Sequence, residues 1–455
     1  MANHEPSTAS WNLENNLTIR WSTSADTEKI AELMGIVYRR GPDAPPNERV
    51  PDQVRLYMRG DFPWMTPTDF VIVEDTQKPG QPVVACGSLW RKKWAYDDIP
   101  FDVGQPETIA THPDYRHRGL VREIMHWLHE RSNQEGHPVQ MIAGIPNFYR
   151  QFGYEYALDI GGKRIARCSL IPKANEQSAK PYSLRAATVD DAPLIAKLFE
   201  QRHNQFPVRP VWTEDECRYA IRSWDEVENG RIDPLACGIN DRLMMIIDES
   251  NSTCGYVQVA TRRRGTDMEV YAVEVGSHAN LYQVMPSLLN ALMQVGEALP
   301  TTDTGQQPLR DIAFTLGRTH PVYDVLGKSL APLYEPPYAW YVRVPDFPAF
   351  LRHVAPVLER RLASSPLVGH TGEVAISFYR GGIQLRFEQG KIVMIQTWKE
   401  AAYGSPSSAA LPSNLFLQLL FGYRSLEELQ TFFPDVRASD EAKLLLNTLF
   451  PKRYS

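Results

Sequence analysis

The sequence predicts an α/β chain of mixed sheets, folded as two related units followed by a third of different pattern. Three observations carry this reading. A strand running into an amphipathic helix opens the chain and recurs further along; a strand, loop and helix follow one another at 107–128; and the apolar pattern changes near residue 345. At 455 residues the chain exceeds what one core usually organises, which agrees with several domains.

The opening strand is read at Leu17, Ile19 and Trp21, which alternate with polar neighbours. Ile30, Leu33, Met34 and Val37 then recur at helical spacing, and Thr23, Ser24 and Asp26 supply capping chemistry ahead of them. The second opening lies 165 positions later, where Leu184, Arg185, Thr188, Asp191, Ile195 and Leu198 answer Ile19, Arg20, Thr23, Asp26, Ile30 and Leu33. One constant offset across these positions points to duplication.

Pro172 to Pro181 is polar and without period, so it reads as a linker. A new amphipathic helix (Phe350, Leu351, Val354, Val357, Leu358, Leu362) begins after Pro345 and Pro348. Alternating strands at Val374–Tyr379 and Ile383–Glu388 follow, turning at Gly381 and Gly382. The expected organisation is a flexible tail at 1–16, domains at 17–175 and 181–344, and a last domain at 345–455.

A composition of 43% hydrophobic and 10% aromatic residues supplies apolar surface enough for packed cores. The formal charge of -6 argues against a general nucleic-acid partner. Five scattered cysteines without a CxxC pair suggest neither a disulfide framework nor a zinc site, and His126 and His129 lack an evident third ligand, so no metal is expected. Residues 1–16 lack a signal peptide's apolar stretch, and the run Leu415 to Phe421 is too short to span a bilayer. A soluble, cytoplasmic protein without a membrane partner is the expectation.

The most informative stretch is Glu107 to Leu128, ETIATHPDYRHRGLVREIMHWL. A short strand leads through a loop into a helix whose core face carries Val121, Ile124, Met125 and Leu128. The loop brings Arg116, His117, Arg118 and Gly119 to the helix start. Unpaired amides and the positive end of the helix dipole favour a diphosphate there, Gly119 permits close approach, and the arginines add charge-assisted bonds.

This stretch resembles the coenzyme A signature R/Q-x-x-G-x-G/A of the GCN5-related N-acetyltransferase (GNAT) superfamily, read here as Arg116-His117-Arg118-Gly119-Leu120-Val121, with valine in place of the last small residue. The resemblance implies acetyl-CoA as co-substrate, and backbone contacts from Ile109, Ala110 and Thr111 to its pantetheine arm. It extends to GIPNFYRQFGYEY at 144–156, whose Tyr149 matches the superfamily's tyrosine beside the thioester sulfur. Expulsion of a thiolate needs a nearby proton donor or hydrogen bond, and a phenol supplies one. For the base that takes the amine's proton, Asp26, Asp61, Asp69 and Glu107 are open candidates; Asp26, Asp61 and Trp64 are also candidate substrate contacts.

In the second copy Leu281, Val284 and Pro286 stand where Arg116, Gly119 and Val121 stand in the first, so the diphosphate cradle is lost, while Tyr323-x-x-Leu326-Gly327 echoes Tyr149-x-x-Phe152-Gly153. The whole chain then resembles the enhanced intracellular survival (Eis) proteins of actinobacteria: tandem GNAT folds, the second degenerate, followed by a sterol carrier protein-like α/β domain. WYVRVPDF at 340–347 and the final FPKRYS add to the likeness. It implies a hexameric homo-oligomer and the carboxylate of Ser455 as general base. The expected activity is acetyl transfer to a primary amine, on an aminoglycoside, lysine or polyamine-like acceptor, by direct attack in a ternary complex. The alternatives are a lipid or apolar-ligand carrier built on the last domain, and a coenzyme A sensor without turnover.

Overall fold

The computed structural model describes residues 10–39, 41, 43–47, 49–172, 181–233, 241–301, 307–399 and 408–453. The linker at 173–180, Cys237 and Ser455 lie outside the described residues. Strands and helices form three sheets, mixed α/β as the sequence predicts.

The first sheet runs Trp11–Asn12, Leu17–Trp21, Phe70–Asp75, Val83–Tyr96, Ile99–Thr111, Val139–Ile142, Tyr338–Arg343 and Glu155–Ile160, with Val208–Pro210 joined to the far end of Val83–Tyr96. The second runs Leu333–Glu335, Lys163–Arg167, Asp311–Phe314, Asp267–Val275, Thr253–Ala260, Asp241–Asp248 and Tyr182–Ala186. The third is built from Lys391–Thr397, Gly382–Glu388, Gly372–Ser377, Ala409–Ala410 and Arg437–Ala438.

Helix Thr27–Val37 buries Ile30, Ala31, Leu33 and Met34 against one face of the first sheet, beside Phe70, Ile72 and Cys86. Helix Leu120–Gln134 buries Ile124, Met125 and Leu128 against the other face. All but Ala31 are positions that the periodicity assigned to the core; Val37 and Val121, assigned there too, are only partly buried and line a cavity.

The sheets do not keep to the domain limits drawn from the sequence. Lys163–Arg167, placed with the first domain, pairs with Asp311–Phe314 of the second sheet. Tyr338–Arg343, placed with the second, lies between Val139–Ile142 and Glu155–Ile160 of the first. Trp11–Asn12, placed in the tail, pairs with Thr18 and Ile19. Such pairings join residues far apart in the chain, and periodicity carries no information about which strand becomes the neighbour.

The third sheet packs on helix Phe347–Ala363, and its core is continuous with that of the first sheet. The Tyr96 hydroxyl donates to the Leu420 carbonyl at 2.7 Å, and Arg361 reaches Asp97 at 3.0 Å and the Leu449 carbonyl at 2.7 Å. Phe350, Phe387, Phe416, Phe421 and Phe450 are fully buried there, so aromatic rings fill the interior of this part.

The two openings share a clamp as well as a pattern. Arg20 holds Asp26 through two bonds of 2.8 and 2.7 Å and donates to the Trp21 carbonyl at 3.1 Å. Arg185 holds Asp191 through two bonds of 2.7 Å and donates to the Ala186 carbonyl at 3.1 Å. In both, the aspartate closes a capping box with the threonine three residues earlier. The clamp ties strand end to helix start. Asp26→Ala is expected to cost about 2 kcal/mol, a fall of about 4 °C in melting temperature. Asp191→Ala should cost less, its side chain being 12% exposed against 6% for Asp26; calorimetric scans in which Asp191→Ala was the more damaging would refute this.

Candidate cofactor and active site

The long hairpin of Val83–Tyr96 and Ile99–Thr111 positions the site. Cys86 pairs with Ala110 and Ser88 with Glu107, so Gly87 faces two residues, Thr108 and Ile109. This is a β-bulge, and Thr108 takes a left-handed φ of 56° in it. On its other edge the strand runs parallel to Val139–Ile142, registered only at Val103 with Val139 and Gly104 with Gln140. Beyond Gly104 the two strands part, and the edge of Ile109–Thr111 is left without a strand partner on that side among the described residues.

Across this opening stands the start of helix Leu120–Gln134. Gly119 is its N-cap, with φ 77°, and no side chain caps the first turn. A Cβ at Gly119 would meet nothing within 4 Å, so the positive φ, not crowding, calls for glycine. His117 adopts a φ of 63° just before it. These turns present the free helix amides to the gap.

A cavity of about 760 Å³ gathers Ile109, Ala110, Thr111, Arg116, His117, Gly119, Leu120, Val121 and Tyr149. The Thr111 hydroxyl in its wall is buried without a hydrogen-bond partner among the described residues. Arg118 is not brought in: it donates to the Asp114 carbonyl at 3.1 Å and lies 4.7 Å over the Tyr115 ring. Arg122, one helical turn beyond Arg118, lines the cavity instead. The i+4 step along the helix was the signal for it, and the sequence reading passed over it.

Tyr149 begins the short helix Tyr149–Phe152 and is packed against the rings of Phe148, Tyr154 and Tyr341. Gly144 makes room for it, since a Cβ there would stand 2.7 Å from the tyrosine ring. Burial, with the nearby Glu107 and Tyr38 adding to it, pushes the Tyr149 phenol up to about 12. The hydroxyl therefore carries its proton throughout the neutral range.

The four candidate bases sort by their partners. Asp26 is held in the Arg20 clamp, Asp69 lies between Arg91 and Arg131 at 2.7 and 3.0 Å, and Asp61 pairs with Arg59 at 2.7 Å. None of the four carboxylates lines the cavity itself, so their partners are what set them apart. Glu107 accepts instead from neutral Gln105 at 2.8 Å, and burial raises its carboxyl above the usual range. It stands at the bulge, within electrostatic reach of Tyr149.

Trp64 lines a different cavity of about 500 Å³, between the first and second sheets, together with Trp90, Lys92, Gln105 and Glu216; Asp26 and Asp61 do not reach it. In the second unit the matching helix, Leu281–Ala298, starts with its own cap: the Asn280 side chain accepts from the Tyr282 amide at 2.9 Å. That amide is no longer free for a ligand.

A splayed parallel pair, a bulged strand edge and an uncapped helix start surround one cavity of an α/β fold. Residues 18–157 match the acetyltransferase (GNAT) domain family, and the first unit carries a GNAT acetyltransferase domain. The fold of almost the whole chain is similar to solved structures. A GCN5-related N-acetyltransferase from Kribbella flavida matches at TM-score 0.62 and 18% identity, over 96% of each chain. A probable N-acyltransferase from Enterococcus faecalis matches at TM-score 0.63 and 11% identity, also over 96% of each. Eis1 from Mycobacterium abscessus matches at TM-score 0.54 and 12% identity, over 96% of this chain and 98% of that one. No curated protein matches in sequence. At such identities the likeness is one of fold.

Arg116→Glu and Arg122→Glu are each expected to weaken coenzyme A binding at least about tenfold in calorimetry, the loss of one charge-assisted contact. Arg118→Glu should change it less than about twofold. Equal losses at all three positions would remove the geometric distinction.

Proposed function

We propose that the chain transfers an acetyl group from acetyl-CoA to a primary amine. One observation carries this: the unpaired Ile109–Thr111 edge, the Gly119 helix start, Arg116 and Tyr149 converge on one cavity. The residues fit a diphosphate on a long polar arm. Arg116, His117, Arg122 and the amides at Leu120 and Val121 would hold the phosphates, and the strand edge and the Thr111 hydroxyl would take the arm's amides. Bound there, acetyl-CoA supplies a thioester carbonyl open to attack by the amine.

Tyr149 is assigned the hydrogen bond to the departing sulfur. A phenol at about 12 opposite a thiol of about 8.5 makes full proton transfer uphill by about 5 kcal/mol, so it donates a hydrogen bond and keeps its proton. Glu107 is assigned the base. Its raised carboxyl lies closer to the working pH than an exposed glutamate would, which improves proton acceptance from an ammonium. The Ser455 carboxylate, implied by resemblance, is the rival for this step. The acceptor is read as a small-molecule or peptide amine.

Thiol release with a panel of primary amines tests the reading. Tyr149→Phe should lower kcat by about 10²-fold with the coenzyme A affinity kept. Glu107→Gln should lower kcat/KM by about 10²-fold. In wild type kcat/KM should rise with pH as Glu107 loses its proton, above the usual carboxylate range, and Glu107→Gln should lose that limb; an unchanged limb would move the base elsewhere.

A further inference from the structure

The cavity between the first two sheets contains a cation already. Trp64 and Trp90 stack with ring centroids 5.5 Å apart and planes 24° from parallel. The Lys92 ammonium lies 2.8 Å from the Trp64 ring centroid and 5.9 Å from that of Trp90. No ion pair engages Lys92 among the described residues, so it rests on indole faces and not on a carboxylate. That is how an aromatic cage holds an ammonium group.

The cage is rigid. The Trp64 indole N–H donates to Glu216, whose carboxylate is oriented by the Thr213 amide at 2.7 Å and hydroxyl at 2.9 Å. Phe62 meets both indoles edge-on at 5.0 and 5.1 Å, and Tyr57 meets Trp90 at 5.3 Å. The Trp90 indole nitrogen is buried without a hydrogen-bond partner among the described residues. Along the hairpin, Trp90 is opposite Gln105 and Ser88 opposite Glu107, so cage and proposed base share one face of the sheet, two residues apart along each strand.

We infer that the Trp64–Trp90 pair is a seat for an organic ammonium group of the acceptor, and that Lys92 is a resident occupant which an acceptor displaces. This rests on the amine-transfer reading for its purpose but not for its test. A group leaving the seat toward Gln105 moves to the carboxylate that would take its proton. Lys92 is a weak occupant near neutrality: burial holds its amine down to about 7, against the pull of Glu216 and Glu107.

Tetramethylammonium, which cannot be acetylated, serves as the probe, titrated into full-length protein without acetyl-CoA and followed by tryptophan fluorescence. Lys92→Ala, which empties the seat, should bind it about tenfold more tightly than wild type at pH 6. Trp64→Leu in the Lys92→Ala background should abolish that binding. The gap between wild type and Lys92→Ala should narrow by pH 8.5, as Lys92 gives up its charge, while contributions from Glu216 and Glu107 move both proteins together. Should Lys92→Ala fail to fold, Lys92→Met keeps the volume without the charge and should show affinities at the two pH values that no longer follow the wild-type rise. Equal affinities in wild type and Lys92→Ala, or binding that survives Trp64→Leu, would overturn the inference. Either result leaves acetyl transfer standing, and absence of transfer leaves this result standing.

Discussion

The first sheet is held open and held together by one strand from elsewhere in the chain. Tyr338–Arg343 hydrogen-bonds on one edge to Val139–Ile142 and on the other to Glu155–Ile160. It does more than widen the sheet. The Tyr341 hydroxyl reaches Tyr156 at 2.6 Å and the Ile145 carbonyl at 3.3 Å, and Tyr338 reaches the Gly144 carbonyl at 3.3 Å. These bonds fix the loop that delivers Tyr149, whose ring packs 5.6 Å from that of Tyr341. Since the strand leads directly into helix Phe347–Ala363, the catalytic tyrosine proposed here is positioned by a segment that also anchors the third sheet. A fragment ending near residue 160 would expose both strand edges and lack the loop's supports.

The two similar openings separate a feature of folding from a feature of the cavity. The arginine–aspartate–threonine clamp is present in both units with nearly the same bond lengths, as expected of a device that joins strand to helix. The helix starts that follow differ. One is an uncapped glycine turn beside a cavity; the other is closed by Asn280. Orphan amides at a helix start must find some partner, and where no ligand is to come, a side chain satisfies them more simply. Asp26 is held in the same way as Asp191, by the arginine of its own opening.

What could be read in the sequence followed from local rules. The apolar spacing of 27–37 and 120–134, the capping box at Thr23 and the glycine at 119 each act within a few residues, so pattern and structure agree there. The strand, loop and helix around Gly119 were legible because their residues are contiguous. Arg118 was misplaced because adjacent residues on such a turn point different ways, and its own neighbour Tyr115 captures it. The exchange of Lys163–Arg167 and Tyr338–Arg343 between sheets was invisible, since pairing across more than a hundred residues leaves no local trace. The four candidate carboxylates could not be ranked for a related reason: they look alike in sequence, and only their partners separate them.

That separation has a physical consequence for the site. An arginine beside a carboxylate stabilises its charge and makes it a poor proton acceptor, as for Asp26 and Asp69, both held below the ordinary range. Glu107 has the Gln105 amide, the bulge backbone and the more distant charge of Lys92, and burial outweighs all three. The same burial raises Tyr149, and the negative charge of Glu107 raises it further. The two groups thus move together: ionising Glu107 makes the phenol hold its proton more firmly, so a charged base and a protonated donor are the state that the pair favours. This is the state required when an ammonium must lose a proton on one side of a carbonyl while a sulfur gathers charge on the other. Glu107 stands at the bulge on one edge of its strand, and the opposite edge is open beyond Gly104, so the raised carboxyl and the free strand edge lie within a few residues of each other.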